Sequence, residues 1–301
     1  MKDQNRLLVL LDGSERALDA VRYIASMKNL ASTSIVILFN VYSHLPQGYL
    51  DMEIQPETSE GKTQIDSWRI LQENGRMRYM QRAEKILKES GAENVEIQVR
   101  KIIRGVARDI LTEIREDYSA VVMTKRGMGL LAGLPVGSVA NKLLQNISAT
   151  PVILVAENAH PNRVLIGVDG SEDSMRAVAF AGRILGQGHT IGLVHITRST
   201  SDPDFIMPRT DIERIKSNME KTFDNMQKEL INKGIPPDNI SREIIEDAPS
   251  RAGALLSEAG RNNYGTIVIG RKGLSGTREF FMGRVSTKII QMSSNYAVWL
   301  V

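Results

Sequence analysis

The chain has 301 residues, a formal net charge of +3 and no cysteine. So small a charge does not indicate a dedicated nucleic-acid surface. The missing cysteine excludes disulfides, thiolate catalysis and cysteine-held metals. The length suits two ordinary domains.

Residues 7–11 form a continuous apolar run, Leu-Leu-Val-Leu-Leu. That is the signature of a strand buried on both faces of a parallel sheet. Five residues are too few for a signal sequence or a membrane span, so the expected location is the cytoplasm, with no membrane partner. The run ends in Asp12-Gly13-Ser14 and leads into a helix with Ala17, Leu18, Val21 and Ile24 on one face. A second strand is expected over 34–41, followed by a long polar loop over 43–62 and a helix over about 64–89. A third strand (95–103) and a helix (107–115) come next. Ala120-Val121-Val122 then opens a strand that runs into a glycine loop, and the unit closes with an apolar strand at 151–155.

The same order then starts again. Residues 5–15 recur at 162–172 with seven of eleven positions identical, placing Asp169, Gly170, Ser171 and Glu172 where Asp12, Gly13, Ser14 and Glu15 stood. Second-copy elements follow at 189–196, 211–233, 240–245, 250–259, 266–268 and 297–301. The chain therefore reads as two copies of one domain, 1–157 and 161–301, with a short linker carrying Asn158, His160 and Pro161. The first copy has about eleven extra residues, assigned to the 43–62 loop. The βαβα order argues for an open parallel sheet with helices on both faces.

The glycine loops span 123–139 and 269–285. In each, ten positions separate two glycines, Gly127 and Gly137 or Gly273 and Gly283. A buried strand, a glycine loop and a helix start present unpaired N–H groups and partial positive charge to an anion. Ligands of doubly wound sheets sit beyond the carboxyl ends of the strands, where the strand order reverses. If the first and fourth strands are neighbours, the Asp-Gly-Ser turn and the glycine loop frame one crevice. An Asp-Gly-Ser sequence is also a common turn and N-cap, and either motif alone is equally well read that way. The basic residues of the loops, Lys125, Arg126, Arg271 and Lys272, fit either a phosphate contact or a solvated surface.

The pattern Gly-x-x-Gly, nine residues, then Gly and a hydroxyl residue resembles the nucleotide-binding motif of the universal stress protein family. The Asp-Gly-Ser-Glu opening and the closing Thr150-Pro151-Val152-Ile153-Leu154-Val155 are also similar to that family. The resemblance covers nearly the whole chain. It implies two tandem Rossmann-like α/β domains of the adenine nucleotide alpha hydrolase-like type, each a five-stranded parallel sheet flanked by helices. The implied ligand is ATP or a related adenine nucleotide, with magnesium as a possible companion. The implied binding set is Asp169, Gly170, Ile196, Gly270, Gly273, Gly283 and Arg284 in the second copy. In the first copy it is Asp12, Gly13, Val41, Gly127, Gly137 and Ser138. The two last strands are implied to pair antiparallel, with a homodimer also open, and the implied role lies in stress adaptation.

Both copies depart from the motif. Thr124 replaces the first glycine in copy one, and Arg284 replaces the hydroxyl residue in copy two. A β-branched residue where the backbone meets a ligand is the graver change; a lost hydroxyl bond is worth about 1 kcal/mol. The second site is therefore expected to bind more strongly, with Arg284 either folded away or holding a phosphate. No P-loop or Gly-x-Ser-x-Gly elbow occurs, and the four histidines lack metal-ligand spacing. His195 reads as a satisfied strand residue and Trp299 as packing or interface. Nothing nominates a general base, so a nucleotide-responsive regulator is expected rather than an enzyme. The alternatives are an interaction module that has lost nucleotide and, third, a weak ATPase.

Overall fold

A computed structural model describes residues 5–45, 58–114, 118–125, 136–198, 208–273 and 282–301. In the first unit, the strands are β1 (Arg6–Leu10), β2 (Ile35–Tyr42), β3 (Asn94–Lys101), β4 (Ala120–Thr124) and β5 (Val152–Val155). Its helices are α1 (Leu18–Ser26), α2 (Lys28–Thr33), α3 (Ser59–Glu89), α4 (Val106–Glu113) and α5 (Ser138–Asn146). The second unit contains β6 (Arg163–Gly167), β7 (Thr190–Arg198), β8 (Ile240–Ala248), β9 (Thr266–Ile269) and β10 (Ala297–Leu300). Its helices are α6 (Glu172–Ile184), α7 (Arg209–Asn232), α8 (Arg251–Arg261) and α9 (Arg284–Met292).

All ten strands form one sheet, ordered β3-β2-β1-β4-β5-β10-β9-β6-β7-β8. Within each unit every pairing is parallel, and the strand order turns back between β1 and β4 and between β6 and β9. The closing strands pair antiparallel, Leu154 opposite Val298 and Ile153 opposite Trp299. This pairing was implied by the family resemblance, and its physical benefit is plain: two fully buried apolar strands hide each other's open edges. Burial follows position in the sheet. Strands β5 and β10 are continuously apolar and β4 and β9 nearly so, whereas the outer strands β3 and β8 keep much of their length exposed.

One core layer packs α1, α3, α6 and α7 on a face of the sheet, and the other packs α4, α5, α8 and α9 on the opposite face; both run through the two units. Where the units meet, Trp299 is fully buried and stands edge-on to Phe180 at 5.7 Å. Its Nε1 donates to the Tyr23 hydroxyl at 3.0 Å, which lies 2.6 Å from Thr266 Oγ1. Thr266 Oγ1 in turn donates to the His160 carbonyl at 2.8 Å. Since a carbonyl only accepts, the protons run one way, from Trp299 through Tyr23 and Thr266 to His160. Burial raises the Tyr23 phenol well above its ordinary range, so the chain stays protonated.

Two details differ from the sequence expectation. The single first helix is a 3-10 turn at Glu15–Ala17, then α1, then α2, whereas its counterpart α6 is continuous. The 43–62 stretch is not all loop: Thr58 accepts from the Gly61 amide at 3.0 Å and starts α3 at Ser59, which gives that helix 31 residues against 24 in α7. A helix of that length extends about 46 Å.

Candidate functional site

The two crevices are built alike. Gly13 and Gly170 take φ of 89° and 80°, which lets the chain turn sharply after β1 and β6. Asp12 Oδ1 accepts from the Ser14 amide at 3.0 Å, and Asp169 Oδ1 accepts from the Ser171 amide at 3.0 Å and its hydroxyl at 2.6 Å. The serine hydroxyls cap the next helical turn, accepting from the Ala17 and Ser174 amides at 3.2 Å each. Asn40 Nδ2 donates to the Leu11 carbonyl and His195 Nδ1 to the Val168 carbonyl, both at 2.7 Å. These two residues are equivalent, and a carbonyl partner fixes His195 as the Nδ1–H tautomer. His195 is thus a satisfied strand residue, as its sequence position suggested.

Beyond β4 and β9 the glycine loops close in the same manner. Gly137 donates to the Lys125 carbonyl at 2.9 Å and Gly283 to the Arg271 carbonyl at 2.7 Å. Both glycines are N-cap residues, so the first-turn amides of α5 and α9 have no side-chain cap. Ser138 and Arg284 occupy the first position of each helix and are exposed. A side chain at Gly273 would strike the Asp169 carboxylate, and one at Gly283 would press the Arg271 carbonyl at 3.3 Å. The second unit therefore brings Asp169, Gly170, Gly273, Gly283 and Arg284 together. In the first unit Asp12 and Gly13 follow β1 and Gly137 and Ser138 start α5 at the adjacent β4; Gly127 and Arg126 lie outside the described residues.

Three expectations gain structural detail. Gly270 is required by packing: an added Cβ would lie 2.7 Å from Asp173 Cβ and 2.9 Å from its carbonyl carbon. In the first unit Thr124 takes the place of Gly270, and the helix start it faces is the 3-10 turn instead of an α-helical one. Second, Ile196 is buried and its carbonyl accepts from Arg251 Nε at 3.2 Å, so part of its bonding capacity is already used; Val41 sits half-buried in β2.

The third concerns the loop cations. Lys125 and Arg271 are only 6% and 5% exposed, and both cross to the other unit. Lys125 Nζ donates to the Ser293 carbonyl and, at 2.5 Å, to its hydroxyl. Arg271 Nη2 donates to the Thr150 carbonyl at 3.0 Å. Burial lowers the Arg271 pKa to about 10, with Asp173 opposing the shift, so it remains charged at neutral pH. Lys272 stays half-buried at the second crevice, its amide donating to Asp173 Oδ2 at 2.8 Å.

The sequence reading expected a helix over about 64–89 but not its contribution to the first crevice. Tyr79 donates to the Ser14 carbonyl at 2.8 Å, and the Arg76 guanidinium lies 3.9 Å from the Tyr42 ring centroid. Burial, with Asp12 and Glu15 nearby, raises the Tyr79 phenol. Matching Gly91 to Gly234, the left-handed glycines that end α3 and α7, sets Thr222 and Met219 at the Tyr79 and Arg76 positions. Among the described residues, α7 thus offers neither a tyrosine nor an arginine at these two positions. Only the strand order, known in advance, could have pointed to those residues. Among the described residues no group of His, Asp or Glu could hold a metal ion, and no helix is long and apolar enough to cross a membrane.

Comparisons with known proteins agree with this architecture. The profile of the universal stress protein family matches residues 4–156 and again 161–301. A universal stress protein of Mycobacterium tuberculosis is 23% identical over 299 residues, covering 94% of this chain and 91% of the relative. One from Bacillus subtilis is 26% identical over 144 residues, covering 44% of this chain and 94% of the relative. The crystal structure of a universal stress protein from Archaeoglobus fulgidus superposes with a TM-score of 0.64 at 18% identity, covering 99% of this chain and 98% of that one.

Proposed function

This chain belongs to the universal stress protein family, and from that premise we propose that its second unit binds ATP or a related adenine nucleotide. The observation that carries the reading is the Gly273–Asp169 approach beside the uncapped start of α9. A carboxylate to accept from a sugar and unpaired helix amides to receive phosphate stand at the two sides of one crevice. Lys272 adds a cation at its rim, and magnesium would enter with the nucleotide phosphates. The first unit, with Thr124 in place of the first glycine, is the weaker site.

The protein acts as a nucleotide-responsive regulator in stress adaptation and not as a turnover enzyme: no described side chain is placed as a general base at the phosphate end. The domain bounds are 1–157 and 161–301, and the closing strands join them within one chain. Titration calorimetry with ATP and magnesium tests the reading. Saturable binding is expected, and Gly273→Val, which drives a side chain into the Asp169 carboxylate, is expected to abolish it. A second reading, an interaction module without nucleotide, draws on the diversion of Lys125 and Arg271 to the inter-unit contact. Absence of binding in the calorimeter would favour it.

A further inference from the structure

The two diverted cations belong to a closed path. The Lys125 carbonyl accepts from Gly137, the N-cap of α5, while its ammonium grips the carbonyl and hydroxyl of Ser293, the residue that ends α9. At the other end of α9, Gly283 donates to the Arg271 carbonyl, and the Ser286 hydroxyl donates to the neighbouring Gly270 carbonyl at 2.9 Å, with the Arg271 carbonyl at 3.2 Å as the longer branch. The Arg271 guanidinium then reaches Thr150, just past the end of α5, and α5 leads back to Gly137. Each loop root thus holds the N-terminus of its own helix by its carbonyl; by its side chain Lys125 holds the residue that ends α9, and Arg271 holds the turn between α5 and β5. The two helices are nine residues each, about 13 Å of rigid rod.

Burial makes the path stiff. A cation some nineteen-twentieths removed from water is held by its bonds, since leaving them unmade would strand a charge in the interior. A lysine at a helix C-terminus also meets the negative end of the helix dipole. The Lys125 arm is the more direct, because Ser293 is itself the helix-capping residue, while Thr150 lies three residues beyond Ile147, the C-cap of α5.

We propose that Lys125 and Arg271 are positioning residues for the helix start in the opposite unit, Gly283 at α9 and Gly137 at α5, and that the circuit they close couples these two helix starts. The coupling rests on the nucleotide reading only for what it transmits; the mechanical link exists without ligand. An anion drawn onto the start of α9 would pull on Ser293 and, through Lys125, on the Gly137 amide of the first unit.

Amide hydrogen exchange on the ligand-free, full-length chain tests this, with Lys125→Met keeping the length of the side chain and Ser293→Ala as a second variant that removes only a hydroxyl. In Lys125→Met the Gly283 amide, at the far end of α9, is expected to exchange about tenfold faster, the scale of one lost charge-assisted bond. Ser293→Ala is expected to shift it in the same direction by less. Faster exchange confined to the last turn of α9, with Gly283 unchanged in both variants, would overturn the circuit and leave a simple inter-unit clasp. Since no ligand is present, the exchange result is independent of calorimetry: failure to bind ATP would sink the nucleotide reading and leave the coupling standing.

Discussion

Replacing Tyr23 with Phe removes one hydroxyl from the centre of the inter-unit seam. That hydroxyl accepts from Trp299 Nε1 and donates to Thr266 Oγ1, and all three residues are at most 2% exposed. The Trp299 donor would be left buried without a partner, which costs about 1–3 kcal/mol, and the lost Tyr23–Thr266 bond adds about 1 kcal/mol. The expected destabilisation is therefore about 2–4 kcal/mol, read as a lower denaturant midpoint at unchanged slope. Trp299 fluorescence would report the same transition from inside the seam. A cycle with Thr266→Val separates the pair from its surroundings, with a coupling of about 1 kcal/mol expected. A loss below about 0.5 kcal/mol for Tyr23→Phe, with no coupling to Thr266, would refute the directed chain of donors.

Gly270→Ala places a Cβ 2.7 Å from Asp173 Cβ, so it should destabilise the second unit by about 1–3 kcal/mol, as overpacking does; thermal unfolding measures this, and a neutral result would return Gly270 to a purely ligand-facing role. Glu243 on β8 has its pKa raised by burial first and by Glu258 second. A carboxyl whose folded pKa is raised contributes stability below its unfolded pKa and loses it as pH rises through the folded value. Stability should thus fall as pH climbs out of the ordinary carboxylate range toward neutrality, and Glu243→Gln should flatten that fall. Denaturant midpoints across the range check it, and an unchanged slope would contradict it.

Much of the architecture was legible because parallel strands buried on both faces announce themselves as apolar runs. The repeat of Asn-Arg…Asp-Gly-Ser-Glu set the two units in register, and the resemblance supplied the antiparallel union of β5 with β10. The destinations of Lys125 and Arg271 were not legible. A basic residue in a glycine loop reads as a phosphate ligand until the other unit is in place, and only the pairing of β5 with β10 brings Ser293 and Thr150 within reach. Gly270 shows a related limit: a glycine required by a ligand and one required by the first turn of α6 look the same in sequence. The 3-10 turn opposite Thr124 and the Tyr79 and Arg76 wall likewise depend on how helices settle on the sheet, which periodicity does not report.

The most direct test of the nucleotide reading is mass spectrometry of small molecules released from purified, undialysed protein, with stoichiometry per chain. About one adenine nucleotide per chain, lost in Gly273→Val and kept in Thr124→Gly, is the predicted result. No adenine nucleotide in the wild-type protein, and none taken up when ATP and magnesium are added, would contradict it.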